Sequence, residues 1–221
     1  MQEPGVKEGL IMKKSNIKPI ASPFIIIAMG FVVAITASGF IQEWAFIPLA
    51  VVYWGAIFAI TKPNKIKLNK IFMSPVKDIK YAFLAFVPVL FCVISFVWGI
   101  KYINNIVLII LWILFAIVNS VAEELFWRGY LFDELDWKPI IKILFSTVLF
   151  LLSHILMWGV FSVTIRSYIM IMPLLLMGVI WGYVYYKTKN LKWCIISHFF
   201  VDIMNLSVWV FLNIYIPPVI Q

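Results

Sequence analysis

The stretch from Ile106 to Phe132, IVLIILWILFAIVNSVAEELFWRGYLF, decides how the chain is read. From Ile106 to Val118 every residue is apolar. The stretch is long enough to cross a hydrocarbon core, which takes roughly 20 residues at ~1.5 Å each. Before the apolar run would end, Glu123, Glu124 and Arg128 appear. A charge inside a span costs at least ~2.5–3.5 kcal/mol on insertion scales, so such residues mark function by default.

Outward from this segment the chain repeats its apolar character. Of 221 residues, 64% are hydrophobic and 13% charged, against about 45–50% and about 25% in average globular domains. The mean hydropathy is +1.02. Those values exclude a soluble globular protein, a disordered chain and a coiled coil. The apolar runs are continuous rather than alternating, which excludes a membrane β-barrel. An all-α polytopic membrane protein is expected, with about seven transmembrane helices: Ile20–Ile41, Trp44–Ile60, Tyr81–Ile100, Ile106–Phe132, Pro139–Phe161, Ser167–Tyr186 and Lys192–Ile216. Pro217 and Pro218 close the last. Lys13, Lys14 and Lys18 precede a run too long for a cleavable signal. Cys92 and Cys194 fall inside apolar runs and read as small buried hydrophobes.

The net charge of +8 does not point to nucleic acid, because the lysines sit in short loops between apolar runs. Lys7, Lys13, Lys14 and Lys18 precede the first span. Lys62, Lys65, Lys67, Lys70, Lys77 and Lys80 follow the second. Lys138 and Lys142 follow the fourth, and Lys187, Lys189 and Lys192 the sixth. The other loops carry only Lys101 and Arg166. By the positive-inside rule the N-terminus is cytoplasmic and the C-terminus outside. The expected setting is the cell membrane, multi-pass, with the lipid bilayer as the first partner. Two regions are expected: residues 1–105, about three spans with a basic cytoplasmic loop at 61–80, and residues 106–221, a core of about four spans.

Both histidines of the chain, His154 and His198, fall inside spans, as does Asp202. With Glu123, Glu124 and Arg128 they occupy three short segments, AEELFWRG, FLLSH and SHFFVD. Glu124 and Arg128 are four apart, so they share a helix face and can pair. Glu123 is turned about 100° away and is free for another neighbour. His198 and Asp202 are also four apart. Asn119 and Ser153 read as polar glue between helices, and aromatic residues inside spans read as packing. A carboxylate beside imidazoles suits activation of water against a carbonyl. The serine motif G-x-S-x-G and the zinc helix motif H-E-x-x-H are absent. A transporter or a non-catalytic immunity or scaffold protein would use the same charges otherwise.

Glu123-Glu124-Leu-Phe-Trp-Arg128 resembles the E-E-x-x-x-R signature of the CPBP family of intramembrane proteases. That family includes CAAX prenyl endopeptidases and bacteriocin-processing enzymes. Phe150-Leu-Leu-Ser-His154 resembles its F-x-x-x-H motif, and His198-Phe-Phe-Val-Asp202 its H-x-x-x-N/D motif. The resemblance covers about residues 106–206. It implies an intramembrane endopeptidase acting near the cytoplasmic face on a peptide or membrane-protein substrate. Glu123 would be the general base and His154 would help hold the water. Glu124 and Arg128 would fix the helix and tune Glu123, and His198 with Asp202 would stabilise the oxyanion. Asp202 departs from the Asn of some members: an ionised carboxylate cannot donate to an oxyanion, so Asp202 is either protonated or orients His198. The expected cofactor is none. A zinc-dependent version, with Glu123, His154 and His198 as ligands and one open position, is the alternative. Maturation of a bacteriocin or signalling peptide, or self-immunity, is the expected setting.

Overall fold

A computed structural model describes residues 17–62 and 79–221. Lys7, Lys13 and Lys14, and most of the basic 61–80 loop, lie outside the described residues. Among the described residues all regular structure is helical, as continuous apolar runs demand when no water is at hand to satisfy the backbone.

Helix α1 (Ile17–Ile41) and helix α2 (Phe46–Thr61) form one apolar stretch of 45 residues. Gln42 breaks it with a left-handed φ of 53°, a 3-10 turn follows, and the two helices pack on each other. Helix α3 spans Ile79–Gly99. Helix α4 spans Ile106–Glu123 and opens at Asn105, whose side chain accepts from the amides of Val107 (2.9 Å) and Leu108 (3.3 Å). This N-cap satisfies two of the four amides a helix start leaves unpaired. Glu124–Tyr130 continues α4 as a π-helical segment, and Leu131–Glu134 completes it. Helix α5 spans Pro139–Leu156, with proline placed where a missing N–H costs nothing. A short helix, α6 (Val163–Arg166), leads to α7 (Ile171–Thr188) and α8 (Lys192–Met204).

Among the described residues, five stretches are long and apolar enough to cross a membrane: Ile17–Thr61, Ile79–Tyr102, Ile106–Glu134, Pro139–Val160 and Tyr168–Thr188. The first of these is the α1–α2 pair. The expected seventh span, Lys192–Ile216, is not one helix. Helix α8 has 13 residues, about 20 Å, short of a ~30 Å core. Asn205 ends it, Leu206 turns left-handed (φ 57°), and a five-residue helix, α9 (Ser207–Phe211), follows. The freed carbonyls find partners: Trp112 Nε1 donates to Asp202 O (3.0 Å), and Ser162 Oγ donates to Val210 O (2.9 Å). Irregular backbone at membrane depth is tolerated when it is satisfied by protein in this way.

Helix α8 packs against α3 and α4, and α5 against α7. Gly178 permits the α5–α7 approach: a Cβ there would lie 2.6 Å from Thr147 Cγ2, the close backbone contact that small residues give membrane helices. Leu125, Phe132, Ile143, Tyr185, Leu191 and Ile195 form one buried cluster with Phe58 against it. This gathers the ends of α2, α4 and α7 with the starts of α5 and α8. Lys142 Nζ donates to Phe132 O (2.7 Å) at this end, and Tyr185 OH to Asp133 Oδ1 (2.9 Å). The opposite end is tied by Trp209 Nε1 donating to Tyr102 O (2.9 Å) and Asn213 Nδ2 donating to Phe161 O (2.9 Å). The described lysine-bearing turns after α2, α4 and α7 therefore share one end. The main core crosses residue 105: Ile26, Tyr53, Ala85, Phe115 and Trp181 belong to one cluster.

Candidate active site

The site is built where α4 changes register. Its first turns bury Trp112, Phe115 and Asn119, and the same face then delivers Glu123. The π segment adds Glu124 and Arg128 to the interior; all three side chains are fully buried. Such bulges widen a helix locally and occur often at functional sites. Ser146 of α5 donates to Trp127 O (2.7 Å), satisfying a carbonyl within the segment.

Arg128 Nη1 donates to Glu124 Oε1 at 2.9 Å, the i, i+4 pairing expected from spacing. The guanidinium carbon sits 4.5 Å from the Phe150 ring centroid and 5.2 Å from that of Trp181. Cation–π contacts of this kind are worth up to about 2 kcal/mol when desolvated. They help hold a charge that burial would otherwise expel.

His198 is the meeting point. Its Nδ1 lies 2.9 Å from Glu124 Oε1, and its Nε2 lies 3.6 Å from Glu123 Oε2 and 3.7 Å from Asp202 Oδ2. The Trp181 ring stacks on the imidazole at 4.7 Å and 24°. Trp181 is itself fixed, its Nε1 donating to Ala85 O at 3.0 Å. The carboxylate that orients His198 is thus Glu124, by hydrogen bond. Asp202 lies beyond hydrogen-bond reach of the imidazole and accepts instead from Asn119 Nδ2 (3.1 Å). Asn119 Oδ1 accepts from Trp54 Nε1 (3.1 Å).

Glu123 differs from its neighbour. Its Oε1 accepts from Tyr53 OH at 2.9 Å, and Trp127 Nε1 donates to the same phenol oxygen at 3.0 Å. Glu123 Oε2 has no hydrogen-bond partner among the described residues, and neither has Glu124 Oε2; the two carboxylates differ in what holds their Oε1. His154 Nδ1 lies 2.9 Å from Phe150 O. A carbonyl only accepts, so Nδ1 carries the hydrogen, and in the neutral imidazole Nε2 then keeps its lone pair.

A cavity of about 110 Å³ adjoins these groups. His154, His198, Asn119 and Asp202 line it, together with apolar side chains such as Phe115, Phe150 and Met177. Glu123 does not line it, and meets its wall through the 3.6 Å approach to His198. Five of the six residues picked from the sequence therefore form one contact network. The sixth, His154, joins through the cavity and through Phe150, whose ring is 4.5 Å from His154 and 6.4 Å from His198. The zinc alternative needs Glu123, His154 and His198 as one ligand cage. Among the described residues no group of three His, Cys, Asp or Glu side chains has the geometry to hold a metal ion.

Sequence reasoning missed Tyr53 and Trp181, and left Asn119 as polar glue between helices. Asn119 had a signal: it stands four residues before Glu123, on the same helix face. Tyr53 and Trp181 had none beyond being aromatic residues with a polar atom inside apolar helices.

Residues 104–204 match the family model of type II CAAX prenyl endopeptidases, Rce1-like. No curated protein and no solved structure matches the chain at a significant level. The match encloses Glu123, Glu124, Arg128, His154, His198 and Asp202, and over residues 104–204, a little under half of its length, the chain is similar to the CAAX-type membrane proteases.

Proposed function

We propose that the protein is an intramembrane endopeptidase that hydrolyses a peptide bond near the cytoplasmic face of the cell membrane, with the N-terminus cytoplasmic, by water activated between Glu123 and His154. The observation that carries the reading is where the free Glu123 oxygen lies: Oε1 is held by Tyr53, while Oε2, without a hydrogen-bond partner like Glu124 Oε2, stands 3.6 Å from His198 at the cavity wall, and Glu123, unlike Glu124, has no hydrogen bond from Arg128. A buried carboxylate oxygen without a partner costs of order 1–3 kcal/mol, and accepting a proton from attacking water gives it a use. His154 Nε2 is a second acceptor, so a water donating both hydrogens presents its lone pair to a carbonyl carbon. The proton taken by Glu123 passes to the leaving amine.

In this scheme His198 and Asp202 face the developing oxyanion. With Nδ1 donating to Glu124, an oxyanion at Nε2 requires a hydrogen there, so His198 serves as imidazolium among three carboxylates at 2.9, 3.6 and 3.7 Å. Preorganised donors in a dry site contribute ~2.7–4 kcal/mol each. Asp202 donates only if protonated; otherwise Asn119 fixes it as a neighbouring acceptor. The proposed reaction uses no metal. Arg128, beside Glu124, opposes a divalent ion. The proposed substrates are peptides or membrane-protein tails, in bacteriocin or signalling-peptide maturation or self-immunity.

The test is cleavage of a panel of apolar peptides, prenylated and unprenylated, by purified protein in lipid nanodiscs, read by mass spectrometry. Turnover that survives prolonged chelation and is lost in His198→Ala supports the reading. Stoichiometric zinc, with activity lost on chelation and restored by zinc, replaces it with the metal-dependent version. Equal turnover in wild type and His198→Ala removes the site.

A further inference from the structure

We infer that Tyr53, on α2 and outside the stretch matched to the family, is the positioning residue that presents Glu123 to the reaction; this rests on the proposed role of Glu123 as base. Tyr53 is fully buried. Its hydroxyl both receives from Trp127 Nε1 (3.0 Å) and donates to Glu123 Oε1 (2.9 Å). An indole N–H can only donate. The phenol oxygen therefore accepts from Trp127, and its single hydrogen is left for Glu123. Of the two carboxylate oxygens, Oε1 is fixed by a hydrogen of set direction. That fixes the carboxylate plane and leaves Oε2 toward His198.

The ring has little freedom to move. Trp158 meets it edge-on at 6.1 Å and 87°, and Trp158 also lines the cavity. Trp127 belongs to the π segment that follows Glu123, so that segment supplies the indole propping the tyrosine. Catalytic groups act well only when neighbours hold them within about 0.5 Å of the productive geometry. The Trp127–Tyr53–Glu123 chain meets that need from outside the charged motifs.

Tyr53→Phe removes one oxygen and keeps the ring. In the full-length protein in nanodiscs, kcat falls about ten- to hundredfold, as expected for losing a hydrogen bond to a charged group. KM stays within about twofold, the pattern of a lost transition-state interaction. Trp127→Phe, which frees the Tyr53 hydrogen to turn away, also lowers kcat with little change in KM. Adding Tyr53→Phe to Trp127→Phe costs less than Tyr53→Phe alone, because the two act through one contact. Trp127→Phe is the informative variant if Tyr53→Phe fails to fold. Glu123→Gln in the same assay separates the two ideas. An inactive Glu123→Gln beside a Tyr53→Phe of wild-type kcat overturns the positioning role and leaves the base. An active Glu123→Gln overturns the base and this inference with it. A Tyr53→Phe variant with lowered melting temperature and raised KM at unchanged kcat shows a packing role only and also overturns it.

Discussion

Helices α1–α3 and the 104–204 stretch make one site from opposite materials. The matched stretch brings the charges: Glu123, Glu124, Arg128, His198 and Asp202, all buried. The N-terminal helices bring neutral partners. Tyr53 donates to Glu123, Trp54 reaches Asp202 through Asn119, and the Ala85 carbonyl accepts from Trp181, the ring stacked on His198. Charge in a low-dielectric interior is costly unless it is paired and every remaining polar atom is satisfied. The division of labour follows: one region carries the chemistry and the other limits how its groups can turn. It predicts that truncating a charged side chain in the matched region costs more stability than removing a neutral partner in the N-terminal region.

Arg128→Ala should show the largest effect on stability. It takes from Glu124 its cation and leaves His198 as the remaining hydrogen-bond partner, and removing one member of a buried pair costs ~3–5 kcal/mol. Thermal unfolding in detergent reads this as a large drop in melting temperature. An unchanged melting temperature means that Glu124 has other support and breaks the contrast.

Asp202 comes next. Asp202→Ala leaves Asn119 Nδ2 without its acceptor and should cost about 1.5–3 kcal/mol, the range for hydrogen bonds to charged groups, with most activity lost. Asp202→Asn keeps an oxygen for Asn119 and gains a donor, so it should keep most activity. If Asn is as inactive as Ala, a negative charge is required beside His198.

Trp54→Phe is the smallest effect. It removes one neutral hydrogen bond, worth about 1 kcal/mol, and should change turnover little. A loss as large as that of Asp202→Ala would show that the N-terminal region does more than restrain, and the contrast would need redrawing.

The same contrast separates what was legible in the sequence from what was not. Spans α1 to α5 and α7 could be read because lipid demands long apolar runs, and hydropathy measures those directly. The break after α8 could not, since a left-handed Leu206 between apolar neighbours leaves hydropathy unchanged. Glu124–Arg128 was legible from spacing alone. The joining of both glutamates to His198 was foreshadowed only by the improbability of so many charges inside spans. Tyr53 and Trp181 were hidden because a neutral polar atom on an aromatic ring looks like packing until its partner is known. Asn119 was visible as interhelical glue, and its partner Asp202 lies on a helix that sequence spacing cannot relate to α4.

The most direct test of the central claim is the turnover of Glu123→Gln in nanodiscs, measured beside its thermal unfolding. Glutamine keeps the shape and can still accept from Tyr53, but it cannot take a proton from water. The predicted result is a fall in kcat of roughly 10²–10⁴-fold, the usual contribution of a general base, with a melting temperature near that of wild type. Turnover within about threefold of wild type, from a variant that is folded, would contradict the account.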